Sequence, residues 1–87
     1  MRWRAGLFIM FYTYVLKSEL DNKLYIGFTE DIKKRLLEHE NGNVASTKNR
    51  RPVALVYYEA GKDKNKAIKR EKYFKTGFGR RFLKERI

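Results

Sequence analysis

The chain has no cysteine, so neither disulfides nor thiolate metal sites hold it together. It has one proline, Pro52, and no internal repeat or low-complexity tract. No apolar run is long enough to cross a membrane. The longest, from Ala5 to Leu16, falls well short of the ~20 residues that a span requires. Preceded by Met1-Arg2-Trp3-Arg4, that run resembles the front of a signal peptide. However, no small-residue cleavage site follows, and Tyr12, Thr13 and Tyr14 alternate like a strand. Residues 1–9 are therefore expected to be an extension ahead of a start at Met10. The protein is expected to be soluble and cytoplasmic, with no membrane partner. At 87 residues there is room for one domain with a small core and none for a second.

What is present is aromatic and basic. The 43% hydrophobic and 15% aromatic content suffices for a globule and argues against disorder. The formal charge is +11, unevenly spread. Residues 1–43 hold seven Lys/Arg against six Asp/Glu, whereas residues 44–87 hold fourteen against four. Such asymmetry points to a polyanion partner, most often nucleic acid. The alternative is a solvated basic surface with no partner.

The stretch from Leu24 to His39 organises the chain. Leu24, Ile26 and Phe28 alternate with Tyr25 and Gly27, which is strand period. Thr29 then reads as an N-cap, with Glu30 and Asp31 in the first turn, where carboxylates suit the positive helix end. Asn41-Gly42 supplies the stop. At about 100° per residue, Ile32 and Leu36 point to the core, and Arg35 and His39 form a row along its edge. An Asp31–Arg35 surface pair is the plain alternative for Arg35.

Phe11 to Lys17 reads as the preceding strand, and the polar segment 18–23, with Asp21-Asn22 at its tip, as a turn. The two strands should pair as an antiparallel hairpin that lets Tyr14 and Tyr25 share a face. Gly27 leaves that face open to backbone or ligand. The loop Gly42 to Pro52 carries hydroxyls, amides and cations suited to phosphate contacts, with Lys48, Arg50 and Arg51 as first candidates. Val53 to Glu59 reads as a third strand. Asp63 caps a helix expected to run to about Thr76, with Gly77 as its stop. On that helix Ala67, Glu71 and Phe74 fall on the apolar face, and Lys64, Lys66, Lys69, Arg70, Lys72 and Lys75 surround Glu71. A carboxylate aimed at a core costs several kcal/mol unless it is paired or bound to metal. A Glu71–Arg35 bridge, a bond to a tyrosine, or a metal all meet that need. Gly79 breaks the chain again before a terminal helix over Arg80–Ile87, with Phe82, Leu83 and Ile87 docking.

Taken together, Tyr12-Thr13-Tyr14, Tyr25-Ile26-Gly27, Arg35, His39 and Glu71 resemble the GIY-YIG endonuclease domain. The resemblance runs from Met10 to the end of the chain. The second signature is intact as Tyr25-Ile26-Gly27, while the first keeps only Tyr14. Ser46-Thr47-Lys48 with Arg51-Pro52, and Lys69-Arg70-Glu71-Lys72, look like the small stand-alone bacterial members, which are similar to the nuclease domain of the excision-repair endonuclease. The resemblance implies an α+β fold, a small three-stranded antiparallel sheet flanked by helices in the order β-β-α-β-α-α, which agrees with the reading above. It also implies hydrolysis of DNA phosphodiesters with one Mg²⁺ or Mn²⁺, in DNA repair or processing. The alternative is a non-catalytic nucleic-acid-binding module that retains the fold. Carried over position by position, Glu71 would be the sole protein ligand of the metal, which suits magnesium. Arg35 would clamp a phosphate oxygen. Tyr14, or else Tyr25, would accept a proton from the attacking water. His39 would orient a phosphate or assist proton transfer. Gly27 is the structural position, and Lys48, Arg50, Arg51 and Lys72 are the DNA-binding candidates. The partner is DNA, with a targeting protein as a second candidate.

Overall fold

Phe11–Ser18 (β1) is the middle strand of a three-stranded antiparallel sheet. In the computed structural model, which describes residues 9–87, Leu24–Thr29 (β2) pairs on one side of it and Val53–Gly61 (β3) on the other. The expected extension, residues 1–9, lies outside the described residues except for Ile9. Three helices flank the sheet: Ile32–Glu40 (α1) between β2 and β3, then Lys64–Phe74 (α2) and Gly77–Lys84 (α3) after β3. The order is β-β-α-β-α-α, as expected, with one 3₁₀ turn over Lys48–Arg50 before β3. Among the described residues no helix is long and apolar enough to cross a membrane.

Successive side chains of a strand face opposite ways, and both faces of β1 are covered. Thr13, Tyr14, Val15 and Leu16 are all buried. Val15 meets Phe74 of α2 and Leu83 of α3 in the core, with Leu24, Ile26, Val56 and Phe82 packed around them. The Thr13 hydroxyl donates to the Ala67 carbonyl at 2.7 Å and ties β1 to α2. Tyr14 and Leu16 point the other way, toward α1. That helix covers its face loosely: Ile32 and Leu36 are only half-buried, and His39 is its one buried residue.

Several boundaries differ from expectation for identifiable reasons. Asp31, not Thr29, caps α1, its carboxylate accepting from the Lys34 amide at 3.1 Å. Aspartate outranks threonine as an N-cap, and Thr29 instead accepts from the Asp31 amide at 3.1 Å. Glu30 and Asp31 therefore lie before the helix. The expected stop holds, with Asn41 as C-cap and Gly42 in the left-handed region at φ 79°. Asp63 caps α2 as expected, accepting from the Lys66 amide at 3.0 Å. That helix ends at Phe74, not about Thr76, and Gly77 opens the next one. Thr76 is its N-cap, accepting from the Gly79 amide at 3.1 Å.

Gly79 is no breaker. It lies in the first turn of α3, buried against the Tyr73 carbonyl and the Phe74 Cα. Its missing side chain lets α3 approach the end of α2. The terminal helix thus starts earlier than expected and ends at Lys84, so Leu83 docks, Phe82 packs beside it and Ile87 stays exposed. Arg70 also departs from expectation. Its guanidinium lies 4.6–5.0 Å from the ring centres of Tyr73, Phe74 and Phe82 and makes a two-point bond to Glu59 of β3, at 2.9 and 2.8 Å. It seals the core rather than joining the solvated cations.

Candidate active site

The β1–β2 register sets Tyr14 opposite Gly27 and Leu16 opposite Tyr25. Tyr14, Tyr25 and Gly27 consequently share one sheet face. The space above Gly27 is not open, because the ring of Tyr14 fills it. α1 crosses this face with Arg35 and His39 one turn apart. Arg35 Nε donates to the Tyr14 hydroxyl at 3.3 Å, and His39 Nε2 bonds the same hydroxyl at 2.8 Å. Behind it, His39 Nδ1 bonds Thr47 Oγ1 at 2.7 Å. Thr47 is fully buried, its amide donating to the Val44 carbonyl at 3.1 Å. Four side chains thus form one line, Arg35–Tyr14–His39–Thr47. The other end of Arg35 pairs with Glu38 at 3.2 Å, not with Asp31 or Glu71.

Glu71 reaches the same place from α2. A cavity of about 160 Å³ is lined by Tyr14, Tyr25, Gly27, Arg35, His39 and Glu71 together with a few neighbours. Glu71 is at the boundary of this cavity rather than in the core. Its side chain is 24% exposed and pairs with Lys75 at 3.4 Å. The bridge to Arg35 that the sequence left open is absent. Tyr25 lines the cavity, but its hydroxyl donates to Asp21 Oδ2 at 3.0 Å.

The four DNA-binding candidates lie elsewhere. Arg50 pairs with Asp21 at 3.4 Å. Lys48 and Arg51 line a separate cavity of about 630 Å³ beyond His39. Arg51 also donates to the carbonyls of Lys48 and Glu40, both at 3.1 Å, and so holds its own loop in shape. Lys72 is exposed on α2.

Burial pushes the Tyr14 hydroxyl pKa up, against the opposing pull of Arg35. Burial first, and Arg35 second, push His39 below the ordinary histidine value. Burial and the bond to Asp21 raise Tyr25. At neutral pH Tyr14 is therefore a phenol and His39 a neutral imidazole. That imidazole carries one N–H. In one tautomer Nδ1–H donates to Thr47, and Nε2 accepts the Tyr14 proton; in the other the Thr47 hydroxyl donates to Nδ1, and Nε2–H donates to Tyr14. In both, neither ring nitrogen is left for a phosphate.

Among the described residues no three His, Cys, Asp or Glu side chains cluster as a metal cage. A hydrated divalent ion needs less. Magnesium keeps several waters and takes one or two carboxylates plus phosphate oxygens. Glu71, the carboxylate on the cavity wall and partly open to solvent, fits that demand.

The GIY-YIG catalytic domain family matches residues 10–84, and the chain belongs to that family, which is one of nucleases. UPF0213 protein SSP2268 of Staphylococcus saprophyticus is 48% identical over 66 residues, covering 75% of this chain and 79% of the relative. UPF0213 protein CPE1444 of Clostridium perfringens is 45% identical over 67 residues, covering 76% and 71%. The solution NMR structure of the UPF0213 protein BH0048 from Bacillus halodurans is similar with a TM-score of 0.57 and 28% identity, covering 88% of this chain and 84% of that one. The α+β fold expected from the sequence is the fold this likeness supports.

Proposed function

We propose that the chain is a metal-dependent endonuclease that hydrolyses DNA phosphodiester bonds, directed by DNA structure or only weakly specific, in DNA repair or processing in the cytoplasm. The observation that carries this reading is the single cavity onto which Tyr14, Tyr25, Arg35, His39 and Glu71 converge from β1, β2, α1 and α2. A basic surface alone would suffice for a binding module, which has no need of a buried Tyr–His pair.

On this reading Arg35 holds a non-bridging phosphate oxygen and stabilises the charge that builds there. Tyr14 takes the proton of the attacking water, and its own proton passes over 2.8 Å to His39 Nε2, which is free to accept it in the tautomer whose Nδ1–H donates to Thr47. The relay answers a difficulty of pKa, since a phenol raised by burial is a poor base unless it can hand its proton on. Thr47 holds the imidazole in register. Tyr25, with its hydroxyl on Asp21, positions rather than abstracts. Glu71 would hold one Mg²⁺ or Mn²⁺, which when bound offsets charge on the phosphate and the leaving oxygen. The ion would displace Lys75, whose exposed side chain is free to swing away.

Nicking of supercoiled plasmid with and without Mg²⁺ or Mn²⁺, in the unaltered chain and in Glu71→Ala, tests the proposal. Metal-dependent nicking that Glu71→Ala loses is expected. Binding without nicking by the unaltered chain in either metal would favour the non-catalytic nucleic-acid-binding module instead.

A further inference from the structure

Besides the cavity beyond His39, the active-site cavity borders two others, and these two differ in charge. On one side it shares Phe28 and Arg35 with a cavity of about 390 Å³ whose wall sets Glu30, Asp31 and Glu38 against Lys34 and Arg35, with Glu38 paired to Arg35 and Glu30 to Lys64. On the other it shares Tyr25 with a cavity of the same volume, lined by Lys23, Arg80 and Lys84 and by no carboxylate. Among the described residues none of these three cations takes an ion pair. A polyanion emerging from the site meets three carboxylates set against two cations one way, and three unpaired cations with no carboxylate the other.

The basic side is also held in shape. Asp21 accepts from the Lys23 amide at 2.8 Å and from the Tyr25 hydroxyl at 3.0 Å, and pairs with Arg50. Asn22 takes the left-handed conformation, φ 58°, that closes the turn. Lys23 and Tyr25 are thereby fixed side by side. Arg80 and Lys84 stand one turn apart on α3, ~6 Å along its axis. Each DNA strand advances ~3.4 Å per phosphate, so the pair spans about two phosphates.

We infer that Lys23, Arg80 and Lys84 form a phosphate track for the DNA strand that leaves the active-site cavity past Tyr25. The strand runs toward the β1–β2 turn and α3 and away from Glu30 and Asp31, which precede α1. The inference rests on the nuclease reading for what occupies the cavity. From sequence alone the DNA grip falls on Lys48, Arg50, Arg51 and Lys72. The track lies on different residues, two of them on the helix whose start the sequence concealed.

The test is the salt dependence of duplex DNA binding by the full chain. Each lost phosphate contact flattens the slope of log K against log salt by ~0.9. Arg80→Ala/Lys84→Ala should flatten it by ~1.8. Lys62→Ala/Lys66→Ala removes the same charge beside a different cavity and should leave the slope within ~0.3 of the original. Alanine suits a helix, so α3 keeps its fold, and Arg80→Lys/Lys84→Arg should restore the slope. An unchanged slope in Arg80→Ala/Lys84→Ala, or an equal change in both alanine pairs, overturns the track. Failure of the nuclease reading shows separately, as no metal-dependent nicking by the unaltered chain, and leaves the salt comparison readable.

Discussion

Gly27 and Tyr14 oppose each other across β1 and β2, and the tyrosine ring occupies the space that a Cβ on Gly27 would need. The contact is with the far end of Tyr14, its hydroxyl, Cζ and Cε2. That end can give way, but only by leaving Arg35 and His39. Gly27→Ala should therefore cost about 1–2 kcal/mol in stability and at least ~10-fold in metal-dependent nicking, since small misplacements of reacting groups are expensive. Thermal unfolding beside nicking rates checks the split. A variant of full activity would show that Tyr14 need not sit between Arg35 and His39.

Gly79 gives the opposite balance. A Cβ there would overlap the Tyr73 carbonyl and approach the Phe74 Cα to 2.6 Å, and these are backbone atoms that cannot rotate aside. Gly79→Ala should force α3 off α2 at a cost of about 3 kcal/mol. For a domain of this size that lowers Tm by more than ~10 °C. Unfolding monitored by circular dichroism measures it, and an unchanged Tm would contradict the close helix approach.

His39 makes stability depend on pH. Its folded pKa lies below the ordinary ~6.5 of the unfolded chain, through burial and the nearby Arg35, with Glu38 opposing. Between the two values the unfolded chain binds more protons, so stability rises with pH across that window. The contribution is complete above ~6.5 and is lost as pH falls through the folded value. The stability difference between the unaltered chain and His39→Gln should shrink as pH drops from 7 to 5. A difference that stays constant would show that His39 is not held neutral.

Thr47 has one measurable duty, the bond to His39 Nδ1 at 2.7 Å. Thr47→Val keeps the volume but leaves a buried ring nitrogen unpaired, at a cost of about 1–3 kcal/mol. Thr47→Ser keeps the hydroxyl. Nicking should fall in the valine variant, with its pH profile displaced, and survive in the serine variant. Equal nicking by all three proteins would remove Thr47 from the relay.

The parts of the site set by local periodicity were legible in the sequence. Period two puts Tyr14 and Tyr25 on one sheet face, and a spacing of four aligns Arg35 with His39. Helical period likewise places Glu71 among Ala67 and Phe74, although it ends beside solvent. What was hidden depends on elements meeting in space. Thr47 sits in a polar loop with no period, and only the fold brings it to His39. Gly79 reads as a helix breaker until α3 is laid against Phe74. Arg70 is one cation among many until β3 brings Glu59 to it. The N-cap of α1 is ambiguous in sequence because Thr29 and Asp31 are both good caps two residues apart.

β1 carries Tyr14 and Val15 as immediate neighbours facing opposite ways. One peptide unit therefore joins the hydroxyl held by Arg35 and His39 to the centre of the core. Among the described residues the core and the candidate site share this one strand, so displacing β1 disturbs both. A change that shifts β1 therefore registers both in the unfolding transition and at the Tyr14 hydroxyl.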